Sequence, residues 1–464
     1  MVTDLMGFDE LSHSIGARLF RFSNVTGFSS VAIDSRAVKQ GGLFIALAGA
    51  SLDGHDFVTR AFEAGAQAAM VESSKLEKFD LVKTAQKMNR QLIAVENTLK
   101  GFQDSARVYL EKFSNLLKIG ITGSSGKTTT KEIVSSILSC EKNTVMNKGN
   151  LNSETGLPLS VFEVSDCHEA CVFELGMNRH GEIHELAEVL KPNIALVTNI
   201  GSAHIEYFGS KSKIVNEKKC IFDFLKDNDV ALIPRDDEYA NELSRGVTGN
   251  AHFYCADLFD EFEGTRSLGL EGTEIYWAGE RIHFTIPGYH SFEDAIAAIA
   301  IAKEADVSNE AIKRGLESVK PLFGRLEILK GRTTVIRDCY NANPESMEKS
   351  VEFCDLLDWP GRKIYVIGDM LELGDSSFSA HQKLGELLMQ SQAEMIFLFG
   401  EEITAAGFYM AIKGRFFYHA KDMDELSAAL DSYVQEGDLV LLKGSRGCAL
   451  ERLTVMLAGD NYVS

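Results

Sequence analysis

No stretch of 18 or more apolar residues occurs in the 464-residue chain, so no membrane span is expected. The N-terminus, MVTDLMGFDELSHSIG, has neither a basic start nor an apolar core and does not read as a secretory signal. Eight cysteines, at 140, 167, 171, 220, 255, 339, 354 and 448, include no CxxC pair. Cys167 and Cys171 are four apart, but no second ligand pair lies nearby. Mostly buried thiols in a reducing compartment are therefore expected, and the cytoplasm is the expected location. Positive charge is scarce too. Lys and Arg number 47 against 67 Asp and Glu, a net charge of −20, which argues against a nucleic-acid partner. Internal repeats and low-complexity segments are lacking as well.

What remains is the composition of a soluble globular protein, 45% apolar and 25% charged. At roughly 100–200 residues per domain, the length suggests about three domains. The pattern is α/β throughout, with expected units at 1–112, 113–320 and 321–464. The first has short strands, GLFIAL (42–47) and AAMVE (68–72), around the helical DFVTRAFEAGA, and the chain turns polar at 100–113. In the second, LLKIGIT, ACVFEL, IALVTNI and DVALIP are apolar strands separated by helical patterns. KEIVSSILSC, for example, puts Ile133, Val134, Ile137 and Leu138 on one face. This rhythm predicts a mostly parallel sheet covered on both sides, with the alanine-rich helix HSFEDAIAAIAIAKEA near its end. The third unit repeats the rhythm with TTVIRDCY, KIYVIGDM, EMIFLFG and DLVLLKGS, a Rossmann-like doubly wound pattern. Acidic runs such as DLFDEFEG (257–264) read as solvated faces.

One loop carries specific chemistry: KIGITGSSGKTTTKEIV, residues 118–134. The usual nucleotide loop, GxxxxGK[ST], has a first glycine where this chain has Ile121; here the pattern is GxxGSSGKTT. The physics survives the change. Gly123 and Gly126 allow backbone conformations closed to other residues and leave room for a phosphate to approach backbone N–H groups, and Lys127 adds a charge toward the β/γ-phosphates. Thr128 or Thr129 offers a hydroxyl to Mg²⁺, and the following helix presents its positive end. A chain of net negative charge needs such local devices to hold a polyanion. NKGN (147–150) lacks the aspartate of a guanine-reading NKxD, and the strand CVFELG ends in Glu174 rather than the Asp usual in motor ATPases. Polar residues recur just past strand ends: Glu174, Asn199 to His204, Asp338, Asp369 and Lys443. Ligands of open α/β sheets sit there. Taken singly, Glu174 also reads as a capping carboxylate, His204 as a solvated loop histidine and Asp34 to Arg36 as a turn.

TGSSGKTTT, FELGMNRHGEI, TNIGSAHIEYFGS, FGRLE and KGSRG stand in the order found in the Mur ligase family, which the chain resembles over nearly its whole length. That family makes amide bonds at the expense of ATP in peptidoglycan precursor synthesis. GNLNSETGLPL (149–159), DCYNANPESM (338–347) and GDMLELGDSSFSAHQKLG (368–385) resemble the member that adds D-alanyl-D-alanine to UDP-MurNAc-tripeptide. IDSRAVKQGGLFIALAGASLDGHDF resembles the UDP-sugar-binding start of two members. No DNPR-type motif of the diamino-acid-adding sibling is found. The resemblance implies a cytoplasmic monomer using ATP and Mg²⁺. A substrate carboxylate attacks the γ-phosphate, and the dipeptide amine then attacks the resulting acyl phosphate. The sibling ligase and a phosphate-loop ATPase switch are the competing readings.

Carried over residue by residue, the resemblance assigns Gly123 to Thr129 and Arg325 to ATP phosphates, and Asp338 and Asn341 to the ribose and hinge side. Thr128, Glu174 and His204 are implied for metal, with His204 acting on a second metal or on the acyl phosphate. Lys218, or its neighbour Lys219, matches a lysine that the family carbamylates, a change that turns a cation into a metal-binding anion. Lys127, His204 and Lys218 are thus the implied catalytic set. Asp34, Ser35, Arg36 and His55 are implied near the UDP-muramoyl group, and Asn152, Lys443, Ser445 and Arg446 near the acceptor or dipeptide. His381 and Glu372 are assigned no part in the chemistry. Two places depart from the family pattern. His290-Ser291-Phe292-Glu293-Asp294 replaces HNxxN, so that Asp294 keeps an acceptor near the adenine but loses an amide donor. Ser153 and Thr155 stand where Asn and Ile are common.

Overall fold

The central sheet of the computed structural model, which describes residues 4–49, 51–459 and 462–463, is wholly parallel. Its order is Asn250–Tyr254, Val230–Pro234, Ile194–Val197, Leu117–Thr122, Ala170–Glu174 and Thr144–Met146. Leu117–Thr122 is first in the chain and lies inside the sheet. The next two strands stack on one side of it and the remaining three on the other. That reversal is a topological switch point, and a crevice opens there beyond the carboxyl ends of the strands. Ile133, Val134, Ile137 and Leu138 of helix Lys127–Leu138 are all fully buried, as their spacing requires. The helix Tyr289–Glu304 is buried along most of its length because alanine lets it lie close to its neighbours.

An antiparallel sheet of Phe262–Ser267, Thr273–Trp277 and Glu280–Phe284 flanks this unit. The acidic run at 257–264 enters its first strand, where Phe262 packs on Phe292 with ring centroids 5.8 Å apart. The solvated-face reading therefore holds only for the alternate outward residues.

The N-terminal sheet is ordered Arg18–Phe20, Gln91–Val95, Ala68–Glu72, Leu43–Ile45 and Val31–Ala32; only the first pairing is antiparallel. The polar-looking stretch at 100–113 contains most of a helix, Thr98–Leu110, whose polar residues mask buried Phe102, Ala106 and Tyr109. Through it one apolar core runs from Phe8 and Phe28 to Phe162 and Phe173 of the central unit. The C-terminal sheet is ordered Glu327–Lys330, Thr334–Asp338, Leu439–Lys443, Lys363–Gly368, Met395–Phe399 and Tyr418–Ala420, and is parallel after its first hairpin. All eight cysteines are free; Cys171, Cys339, Cys354 and Cys448 are buried, Cys167 is exposed and the others are intermediate. The buried-thiol expectation thus holds for four of them.

Candidate active site

The strand Leu117–Thr122 hands directly to a loop whose glycines cannot be replaced. A Cβ on Gly123, at φ +153°, would lie 1.8 Å from Thr198 Oγ1, and one on Gly126, at φ +79°, 2.0 Å from Asp294 Oδ1. The loop is held from the next strand end. Asn199 Oδ1 accepts from Ser125 N at 3.0 Å, and Ser124 Oγ accepts from Gly201 N at 2.7 Å. These bonds, with Ser124 N donating to Asn199 O at 3.0 Å, use the N–H groups of Ser124 and Ser125 to fix the loop. The N–H groups left for an anion are those at the start of helix Lys127–Leu138, where the helix dipole favours one. Lys127 Nζ donates to Gly123 O at 2.7 Å. Burial pushes this ammonium below its ordinary range, and Glu174 pulls it back up. A polyanion beside it favours the charged form still more. Asp294 lies under Gly126 and accepts from Thr130 Oγ1 at 3.4 Å; burial raises its carboxyl well above the usual range.

Glu174, at the end of its strand, is buried. Its Oε2 accepts from Thr128 Oγ1 and its Oε1 from Asn152 Nδ2, both at 2.7 Å. Thr128 Oγ1 in turn accepts from Arg325 Nη2 at 3.0 Å. The two adjacent residues of the 218–219 pair diverge. Lys218 is buried, donates to Gly123 O at 2.8 Å and lies in the cleft wall. Lys219 turns away to the carbonyls of Glu242 and Arg245. Burial first, then Lys127, holds Lys218 well below the lysine range. His204 adopts φ +63°, and its Nδ1 lies 2.8 Å from Glu372 Oε2 of the C-terminal unit.

That unit supplies the opposite wall. Arg325 stacks over the ring of Tyr340, its guanidinium carbon 4.3 Å from the centroid. Asp338 pairs with Lys443 at 2.8 Å and accepts from Ser350 Oγ at 2.6 Å. Burial alone would raise the Asp338 carboxyl, but Lys443 and Ser350 hold it below the usual range. Lys443 also donates to Asn341 O at 3.1 Å, so its charge is committed to this wall. Asn343 Nδ2 reaches across to Ser125 Oγ at 3.1 Å. The two walls enclose one cleft of about 710 Å³.

The structure brings Ser124 to Thr129, Asn152, Glu174, His204, Lys218, Asp294, Arg325, Asp338, Asn341 and Lys443 to that cleft. Ser445 and Arg446 do not line it: Ser445 Oγ accepts from Leu371 N at 2.9 Å, and Arg446 pairs with Glu451 at 2.8 Å. Asp34, Ser35, Arg36 and His55 belong to the N-terminal sheet, past the strands Val31–Ala32 and Leu43–Ile45. Asp34 and Arg36 are paired at 2.7 Å. His55 is locked, with Nδ1 2.6 Å from Asp53 Oδ1 and Nε2 accepting from Glu72 N at 2.9 Å. His381 is fully buried and accepts from Met370 N at 3.0 Å, in line with a structural role. Asn343 and Glu345, which touch the central unit, are not singled out by sequence, their only signal being that they lie inside DCYNANPESM; Glu372, set aside with His381, also reaches the central unit, at His204. Among the described residues, no three His, Cys, Asp or Glu side chains converge as a ready-made metal cage.

Comparison with known proteins places the chain. It matches the models for the Mur ligase family catalytic domain over 28–109, the Mur ligase middle domain over 121–302 and the Mur ligase glutamate ligase domain over 324–446. It is 40% identical to the UDP-N-acetylmuramoyl-tripeptide--D-alanyl-D-alanine ligase of Treponema pallidum, over 98% of this chain and 99% of that one. The crystal structure of MurF from Acinetobacter baumannii superposes with a TM-score of 0.87 at 28% identity, covering 97% of this chain and 98% of that one. MurF ligase from Thermotoga maritima, solved in complex with ADP, superposes with a TM-score of 0.77 at 28% identity, over 92% and 97% of the two chains.

Proposed function

The chain belongs to the Mur ligase family, and from that premise we infer that its cleft joins D-alanyl-D-alanine to UDP-N-acetylmuramoyl-tripeptide at the expense of ATP. The terminal carboxylate of the tripeptide attacks the γ-phosphorus of ATP, releasing ADP and forming an acyl phosphate. The dipeptide amine then adds to the acyl carbon, and the tetrahedral intermediate collapses to the amide with loss of phosphate. An anion attacks an anion in the first step, so charge neutralisation is the main requirement.

The observation that carries this reading is the meeting of Lys127, Thr128 and Glu174 on one wall with Arg325 from the other, 3.0 Å from Thr128 Oγ1. Lys127 and the N–H groups at the start of its helix bind the β/γ-phosphates, and Arg325 closes on them from the facing unit. Thr128 and Glu174 provide adjacent hard oxygens, a donor set that suits Mg²⁺. A magnesium ion bound there would withdraw charge from the transferring phosphoryl group. Asn152 orients Glu174 for that task. Lys218, held toward the neutral amine by burial and by Lys127, is the form of lysine that adds to carbon dioxide and releases a proton to give a carbamate. A carbamate would exchange a cation for an anion at the edge of the phosphate loop. The residues at 34–36 and 55 lie on the sheet that would receive the UDP-muramoyl group, in a division of the chain near residues 112 and 320 into substrate, ATP and closing units. Among the described residues no helix is long and apolar enough to cross a membrane.

Phosphate release in the presence of ATP, Mg²⁺, UDP-MurNAc-tripeptide and D-alanyl-D-alanine tests this reading. Release should require both the tripeptide and the dipeptide. Release indifferent to both would make the protein an ATPase switch, and release that needs a free diamino acid with the shorter precursor would make it the sibling ligase.

A further inference from the structure

His204 is a cleft residue of the central unit whose ring lies against a side chain of the other wall. Its turn is gripped at two points by the C-terminal unit. At the first, Glu345 Oε1 accepts from Ser202 N at 3.0 Å and from Ser202 Oγ at 2.9 Å, with Lys211 Nζ 3.6 Å away. At the second, the backbone of Glu372 accepts from Glu206 N at 3.4 Å, while its carboxylate lies 2.8 Å from His204 Nδ1. That nitrogen is buried, and the Glu372 carboxylate is the charged group that lies against it, at 2.8 Å but not aligned as a hydrogen bond in this arrangement. Both residues are held where side chains rarely go, His204 at φ +63° and Glu372 at φ +62°. Such backbone is strained and persists where surrounding contacts over-determine it. Gly374 allows the approach: a Cβ there would lie 2.9 Å from Glu206 Cγ.

We propose that Glu372 is a positioning residue for His204, delivered when the C-terminal unit seats on the 202–206 turn, so that the histidine faces the reacting groups only in the closed enzyme. The inference rests on the ligase reading for what His204 does, but not for how the ring is held. A carboxylate beside Nδ1 favours the tautomer that carries the proton there, which makes Nε2 the lone-pair nitrogen. Seating of the C-terminal unit and orientation of the ring are then one event. An enzyme open to water would hold ATP on its loop with the histidine unaligned, which suppresses wasteful hydrolysis.

The test compares Glu372→Ala and Glu372→Gln in the full-length protein. With wild-type phosphate release shown to require the dipeptide, Glu372→Ala should lower kcat about tenfold, the scale of a lost orienting partner, with KM for ATP within about twofold of wild type and Tm unchanged. Glu372→Gln keeps an acceptor oxygen and should stay within about threefold of wild-type kcat. The second readout does not depend on turnover: nitrogen NMR of ¹⁵N-histidine-labelled protein, with His204 assigned through His204→Gln, should show Nδ1 protonated in the wild type and a mixed tautomer in Glu372→Ala. Unchanged kcat, or an unchanged His204 signal, in Glu372→Ala overturns the proposal. Loss of dipeptide dependence in the wild type would instead overturn the ligase reading and leave the NMR result to decide the positioning.

Discussion

The two junctions of this chain are built from opposite materials. Between the N-terminal and central sheets the contact is apolar and continuous: Phe8, Phe28, Phe102, Tyr109 and Phe162 belong to one core, with Phe102 and Phe162 stacked at 6.2 Å. Tyr109 closes it by donating to Val164 O at 2.7 Å. Between the central and C-terminal sheets the described contacts are mostly polar and lie on the cleft walls: Arg325 with Thr128, Asn343 with Ser125, Glu345 with Ser202, Lys349 with Glu293. Ile205 and Leu270 are central-unit residues that pack as apolar groups against the C-terminal core. Apolar contact is non-directional and costly to expose, so it fixes two bodies as one. Polar contact exchanges with water at little net cost, so it can be broken and remade at every turnover. The molecule thus has a rigid floor that carries the phosphate loop and a roof that brings Arg325 and Glu372.

Phe102→Ala should have the largest effect, because it removes a fully buried ring from the rigid junction. A loss of about 3–5 kcal/mol is expected in urea unfolding, with turnover of the remaining folded protein near normal. A loss below about 1 kcal/mol would show that the two units do not share a core.

The same contrast explains what the sequence could reveal. The floor is written locally. Glycines 123 and 126, Lys127 and Thr128 fall within six residues of chain, and the four inner strands of the central sheet are apolar runs bounded by turn residues, whereas the edge strands Thr144–Met146 and Asn250–Tyr254 carry no such run. The helix Thr98–Leu110 was harder to read, because Lys100, Gln103, Asp104 and Arg107 dilute a buried face that only the neighbouring sheet defines. The roof contacts are not local at all. Ser202 and Glu345 are 143 residues apart, and no periodicity links them. Motif order placed Ser445 and Arg446 in the site, yet the chain turns after Lys443, so that Ser445 braces Leu371 and Arg446 faces Glu451. Lys218 and Lys219 are equal in sequence; only the phase of helix Lys211–Lys219 decides which enters the cleft.

Lys127→Ala comes next and acts on the floor without touching its core. Turnover should fall about 10²–10³-fold, the scale of removing one preorganised charge from a phosphoryl-transfer site, while Tm stays put. Product formation near wild type would remove the loop from the mechanism.

Within the roof, the Asp338–Lys443 pair tests whether that body is rigid in itself. Asp338→Asn strands a buried ammonium, at a cost of about 3 kcal/mol, the low end for such pairs because Lys443 keeps Asn341 O. The Asp338 carboxyl is held below its ordinary 3.8 in the folded state, so the stability it contributes is full above that value and is lost as pH falls through the folded one. The difference in unfolding free energy between wild type and Asp338→Asn should therefore hold steady from neutral pH to about pH 4 and shrink in stronger acid. A gap independent of acid would mean that the pair is not what the substitution breaks.

The smallest effect belongs to Lys349→Ala, which cuts the Lys349–Glu293 pair at 2.6 Å across the soft junction. Both side chains are nearly half exposed, so the pair contributes at most about 1 kcal/mol, and salt screens it. Global stability should not move. The balance between seated and open roof should move by at most about fivefold, visible as faster protease cleavage between residues 302 and 324, where the matches to the middle and C-terminal family domains part, at low salt and no difference from wild type at high salt. A substitution this small matters because it is read only where the junction is soft. The same loss of charge at the floor junction, for instance Lys100→Ala beside Glu188 at 2.9 Å, should leave protease cleavage unaltered at any ionic strength, since the apolar core beneath it already holds the two units together.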